Sequence, residues 1–178
     1  MDCKLTNRFS LVKKNVCWRE SGESQLVIDT KKTDWIQFLA SGCGLGVLPK
    51  VPGTWGSLGA LPLWFLLGWI SNGWYLLLVL LFSGFAIWIA DEAGKLFGVV
   101  DSPVIVIDEI AGLMLALVGV PLSFGNALAA FVIFRFFDII KPFPADWCEG
   151  NLPGGIGVVV DDLVAGVMTW LVMQLFFV

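Results

Sequence analysis

The sequence predicts an all-α protein, an integral membrane helical bundle of about four to five transmembrane or partly embedded helices. Three observations carry that expectation. Apolar residues make up 57% of the 178 residues and nine are tryptophan, against roughly 45–50% apolar content in soluble domains. Mean hydropathy is +0.84. The apolar residues also gather into five long segments with short polar connections between them, as a threaded bundle requires.

Residues 1–34 hold seven bases against five acids and no sustained apolar run. They read as a polar flexible extension, and no cleavable signal peptide fits them because no apolar core follows the charged start. Residues 35–178 form the expected membrane-embedded domain, with four bases and ten acids. Its first stretch, WIQFLASGCGLGVL at 35–48, is too short to span and too glycine-rich for a firm helix, which places it at the interface or re-entering it. PKVPGTWGS at 49–57 reads as a loop. Apolar segments follow at 58–70, 74–90, 104–121, 126–140 and 156–178. The first and fourth fall short of the roughly 20 residues that cross a bilayer core, and are expected to tilt, thin the bilayer or lie partly embedded.

Threading the five segments alternately puts every charged connection on one side: the N-terminus, Lys50, residues 91–101 and residues 138–149. The other side receives only the uncharged SNG and PLSFGN turns. Bases concentrate on cytoplasmic loops, so the charged side, with the N-terminus, is expected in the cytoplasm and the C-terminus on the far side. Cys3, Cys17, Cys43 and Cys148 have no CxxC spacing and read as free or packed thiols, not a zinc site or disulfide framework.

Two carboxylate pairs sit inside apolar segments, Asp108 with Glu109 and Asp161 with Asp162. An ionised acid in a bilayer core costs at least about 2.5–3.5 kcal/mol, so its presence points to function. On the threading above both pairs lie about one turn in from the cytoplasmic side. Each is followed one helical turn on by a small residue, Gly112 after Asp108 and Gly166 after Asp162, which leaves a notch for a neighbouring backbone. Two such helices face to face bring up to four carboxylates together, which calls for a cation or a shared proton. The chain has no histidine. A hard, oxygen-liking ion such as Mg²⁺ is therefore the natural counter-ion.

Two further elements belong to the same side. FRFFDIIKPFP places Arg135, Asp138 and Lys141 at three-residue spacing on a helix end, where an anion can bridge the bases while Asp138 joins the metal. PKVPGTWGSLGALP sets Gly53, Thr54, Gly56 and Ser57 before an apolar helix, with Ser57 or Thr54 able to cap it and free amides able to meet a phosphate. Each has an ordinary structural reading as anchor or turn. Two acid pairs at equal depth with both elements alongside are harder to explain structurally. Without histidine, a Cys-x5-Arg loop or a DxDx[TV] motif, the remaining phosphate chemistry is a carboxylate-bound divalent metal with an attacking water. The runner-up is a small divalent-cation or proton transporter, and a third reading is a structural membrane partner.

In order, PKVPGTWGSLGALP, IVIDEIAG, FDIIKPFP and GGIGVVVDDLVAG resemble the phosphatidylglycerophosphatase A family of bacterial membrane lipid phosphatases, over about residues 36–178. The resemblance implies Mg²⁺-dependent hydrolysis of phosphatidylglycerophosphate to phosphatidylglycerol and inorganic phosphate, in a multi-pass protein of the bacterial inner membrane with its site facing the cytoplasm. It carries acidic site residues to Asp101, Asp108, Glu109, Asp138, Asp161 and Asp162, and a base to Lys141; Val51 stands where the family usually has alanine. Asp108, Glu109, Asp161 and Asp162 are then expected to hold one or two Mg²⁺. Lys141, with Arg135 and the amides near Gly53, Thr54, Gly56 and Ser57, is expected to hold the phosphate. Asp138 or Asp101 is the candidate base, and an aspartyl-phosphate route stays open. The expected partners are the lipid substrate and the bilayer, and no nucleic acid.

Overall fold

The structure, a computed structural model, describes residues 30–100 and 102–178, and the side chains of these except residues 30–32 and 149. The expectations placed on residues 1–29 and on Asp101 lie outside the described residues. All regular structure described is helical: α1 (Thr30–Ala40), a 3₁₀ turn (Leu45–Val47), α2 (Pro52–Leu67), α3 (Asn72–Phe97), α4 (Ile107–Ala116), α5 (Phe124–Ile140), α6 (Ala145–Asn151) and α7 (Gly154–Phe176).

Helix α2 begins at Pro52, inside the stretch read as a loop, and not near residue 58. Proline is at home in a first turn, since its fixed φ suits the helix and its missing N–H has no intrahelical acceptor there. Val51 is therefore the cap position, without a side-chain cap bond, and neither Thr54 nor Ser57 caps the helix. Helix α3 runs seven residues beyond the expected apolar limit. Its last turns leave the apolar stretch as DEAGKLF, where Lys95 pairs with Asp91 at 2.7 Å and Glu92 at 3.0 Å, and left-handed Gly98 ends it. Helix α5 is capped by Ser123, whose Oγ accepts from the Asn126 N–H at 3.1 Å, and stops at Lys141, itself left-handed with φ 47°. The connection 141–155 contains the short helix α6, which no apolar periodicity announces.

Helix α4 is the largest departure. Residues 104–121 were expected as one long segment, but only ten residues are helical. Ahead of it Val106 donates its N–H to Ala40 O at 2.9 Å, tying the turn that precedes α4 to the end of α1. Behind it the chain turns at Gly119, with φ 72°.

Helices α3 and α7 are long and apolar enough to cross a bilayer, with mean hydropathy of 2.0 and 1.9 over their best windows. Only 33% and 44% of those windows is buried within the fold. The remainder is an outward apolar face that includes Leu77, Leu81 and Trp88 of α3 and Leu171 and Leu175 of α7, and α5 adds Val132, Phe136 and Ile139. Exposed apolar area on that scale marks a membrane surface. Helices α2 and α5, of 16 and 17 residues, fall short of a full crossing.

The core has two parts. Trp64, Leu113, Leu117, Phe134 and Met173 fill the space among α2, α4, α5 and α7. Ile36, Ala40, Ile89, Ala93, Ile107 and Val159 dock α1 against α3, α4 and α7. The uncharged turns cluster at one end: a methyl on Gly68 would touch Leu122, and one on Gly119 would stand 3.3 Å from Asn72 Nδ2 and 3.7 Å from Gln174 Nε2. The acid pairs lie at the other end.

Candidate active site

The two glycine notches read from the sequence meet one another. A Cβ on Gly112 would stand 2.6 Å from the Asp162 carbonyl oxygen, and one on Gly166 would collide with the Gly112 carbonyl. Helices α4 and α7 thus pack backbone to backbone, the close approach that small residues permit. The contact aligns the first turn of α4, which carries Asp108 and Glu109, with the region two turns into α7 that carries Asp161 and Asp162.

Three of these four acids converge. Asp108, Glu109 and Asp162 each offer an oxygen within 4.8 Å of the others. Asp108 and Asp162 are buried, and Glu109 Oε2 is buried without a hydrogen-bond partner. At that spacing two ionised carboxylates repel by roughly 3–4 kcal/mol at an effective dielectric near 20. Asp161 takes a different position. Its Oδ2 pairs with Lys141 Nζ at 2.6 Å, and its Oδ1 accepts the Asp162 N–H at 2.9 Å.

The bases are likewise engaged. Arg135 Nη1 lies 2.6 Å from Asp138 Oδ2 and 4.0 Å from Glu109 Oε1, and donates to Ser57 Oγ at 3.5 Å. These acids and bases surround one cleft of about 260 Å³, whose wall is completed by Val51, Pro52, Gly53, Pro103, Ile105 and Val158. Five acids and two bases line it among the described residues. With all of them ionised the excess is three negative charges in a largely buried space, which suits one or two divalent cations. The all-oxygen donor set favours a hard ion, and the partnerless Glu109 Oε2 supplies an unused ligand atom. The residues present therefore fit a metal.

The Gly-rich element contributes unequally. Gly53 and Thr54 fall in the first turn of α2, where N–H groups have no intrahelical acceptor, and Gly53 lines the cleft. Gly56 and Ser57 lie a turn further on, where amides serve the helix itself. Gly56 packs against Val106, and buried Ser57 donates its hydroxyl to Gly53 O at 2.9 Å. Its sequence reading as a phosphate-facing amide passes instead to a hydroxyl contact with Arg135. The pairing of Lys141 with Asp161, twenty residues apart, had no spacing signal that could reveal it. Nor did the apolar wall of Pro103, Ile105 and Val158.

Residues 38–177 match the family model described as Phosphatidylglycerophosphatase A. The chain belongs to the phosphatidylglycerophosphatase A family. It is 41% identical over 132 residues to Phosphatidylglycerophosphatase A of Escherichia coli K12, covering 74% of this chain and 77% of that one. It is 36% identical over 140 residues to the Haemophilus influenzae protein of the same name, covering 78% and 86%. A Bacteroides thetaiotaomicron protein provisionally named as a phosphatidylinositol-3-phosphatase is 36% identical over 143 residues, covering 76% and 89%. No solved structure gives a significant match. All three relatives bear phosphatase names, so the transporter alternative finds no support among them.

Proposed function

We propose that this protein is a phosphatidylglycerophosphatase that removes the terminal phosphate of phosphatidylglycerophosphate at the cytoplasmic face of a bacterial inner membrane, using Mg²⁺. The observation that carries the reading is the convergence of Asp108, Glu109 and Asp162 within 4.8 Å, beside two bases and a helix N-terminus, in a chain of this family. Those three acids would hold the cation, which when bound would supply neutralisation of the phosphoryl charge for in-line attack. Lys141, steadied by Asp161, and Arg135, steadied by Asp138 and Ser57, face the remaining phosphate charge. The Gly53 and Thr54 amides add donors at the positive end of α2.

Water attacks phosphorus, the bond to the glycerol oxygen breaks with its electron pair on that oxygen, and the oxygen regains a proton. Asp138, which lines the cleft, is the candidate among the described carboxylates to take the proton from water. Exposed Val51 lines the cleft, and Ile139, Ile140 and Phe143, the chain neighbours of cleft-lining Lys141, are exposed too, apolar surface suited to a substrate anchored by acyl chains.

Purified protein given phosphatidylglycerophosphate and, in parallel, phosphatidylinositol 3-phosphate tests the substrate. Phosphate release is expected from the first at a kcat/KM at least about tenfold higher, the level one lost headgroup contact produces. Faster release from the inositol lipid refutes the assignment. Ion flux into liposomes without phosphate release restores the transporter.

A further inference from the structure

Gly53 stands in the first turn of α2 and forms part of the cleft wall. A methyl on its Cα would collide with Glu109 Oε1 and stand 3.1 and 3.3 Å from Arg135 Nη1 and Nη2. The two neighbours differ in freedom. Arg135 is fixed by Asp138 at 2.6 Å and by Ser57 at 3.5 Å. The Glu109 carboxylate is the end of a flexible side chain, with Oε1 4.0 Å from Arg135 and Oε2 without a partner. A side chain at position 53 therefore moves the carboxylate and leaves the guanidinium in place. Backbone conformation does not ask for glycine here, since Gly53 is helical and is not among the residues with positive φ. A helix prefers alanine over glycine by about 1 kcal/mol. The glycine answers to the space it leaves.

We propose that Gly53 is a positioning residue for the cation site: its missing side chain keeps the Glu109 oxygens within reach of Asp108 and Asp162. The inference rests on the reading of those three acids as metal ligands. Because displacement of a flexible carboxylate is cheap for the fold, Gly53→Ala separates the cation site from stability. Gly84 of α3 supplies the control, with nothing within 4 Å of an added Cβ.

The experiment follows the melting temperature of the full chain in lipid nanodiscs against Mg²⁺ concentration, for wild type, Gly53→Ala, Gly84→Ala, Glu109→Asp and the Gly53→Ala/Glu109→Asp double variant. Without metal, Gly53→Ala is expected to melt at or above wild type. Its Mg²⁺ midpoint is expected to rise about tenfold, the scale at which a residue supporting a ligand acts, while Gly84→Ala keeps the wild-type midpoint. In the Glu109→Asp background, where the shorter side chain withdraws from the added methyl, the same alanine is expected to shift the midpoint by less than about threefold. A Gly53→Ala midpoint within about twofold of wild type, or losses that simply add in the double variant, overturns the inference alone. Loss of the folded state without metal also overturns it, by showing that the glycine serves the fold. A wild type that Mg²⁺ does not stabilise overturns the inference and the cation reading together.

Discussion

The two ends of α4 handle buried polarity in opposite ways. At its C-terminal end the exposed carbonyls are taken up by side chains from the two long helices: Tyr75 Oη donates to Met114 O at 2.9 Å, and Trp170 Nε1 and Gln174 Nε2 donate to Val118 O at 2.9 and 3.1 Å. A ten-residue helix ending among apolar side chains needs such partners, because its last carbonyls have no acceptor role left within the helix. At its N-terminal end, Asp108 and Glu109 meet Asp162 in a cleft where Glu109 Oε2 has no partner. One end has its carbonyls satisfied by the fold. The other keeps a buried carboxylate oxygen without a partner and, on the proposed reading, serves chemistry.

That contrast breaks most visibly at Asp162. Asp162→Asn is expected to lower phosphate release by about a hundredfold or more, the size of losing a group that stabilises transition-state charge. Without metal the variant is expected to melt no lower than wild type, since it relieves repulsion among the three acids; parallel activity and melting curves check both. A large fall in stability would make this end structural as well.

Asp161 sharpens the account within the acidic end. Asp161→Asn and Lys141→Met are each expected to reduce kcat/KM by about tenfold or more, and the double variant by little more than either alone, because residues acting as one unit are not additive. The Mg²⁺ midpoint is expected to stay put in Asp161→Asn. A midpoint that rises as far as in Asp162→Asn would return Asp161 to the metal ligands.

The satisfied end gives the smallest effect on activity. Tyr75→Phe removes the side-chain donor to buried Met114 O, which keeps the Leu117 N–H at 3.3 Å, and is expected to cost about 1 kcal/mol of stability. Gln174→Ala is expected to cost less, about 0.6 kcal/mol, because Trp170 still serves the same carbonyl. Phosphate release per folded molecule is expected to remain within about twofold in both. Denaturant melts paired with rate measurements test this, and a hundredfold loss of rate in Tyr75→Phe would erase the distinction between the two ends.

Features of composition and helix periodicity were legible in the sequence. The all-helical class, the approximate positions of α3, α5 and α7, and the gathering of acid pairs at one end follow from apolar runs and from acids within them. The Gly112 and Gly166 notches were legible because a small residue one turn after an acid shares its face. Helix α4 was overextended because residues 117–121 are as apolar as the helix itself, so hydropathy carries no mark of the turn at Gly119. Helix α6 was missed for the converse reason: ADWCEGN has no apolar stripe and is ordered by the prolines and helices around it. The start of α2 at Pro52 was hidden by turn-forming residues that a first helical turn also accepts. The different neighbours of Asp161 and Asp162 are set by side-chain direction, which adjacent positions on one helix do not reveal.

The central claim is that three converging carboxylates make a Mg²⁺ site for lipid phosphate hydrolysis. Phosphate release from phosphatidylglycerophosphate, measured across a Mg²⁺ titration in wild type and Asp162→Asn, tests it most directly. The account predicts saturable Mg²⁺-dependent release by wild type, abolished by a chelator, and near-background release by the variant throughout. Release that persists under the chelator, or that survives undiminished in Asp162→Asn, would contradict it.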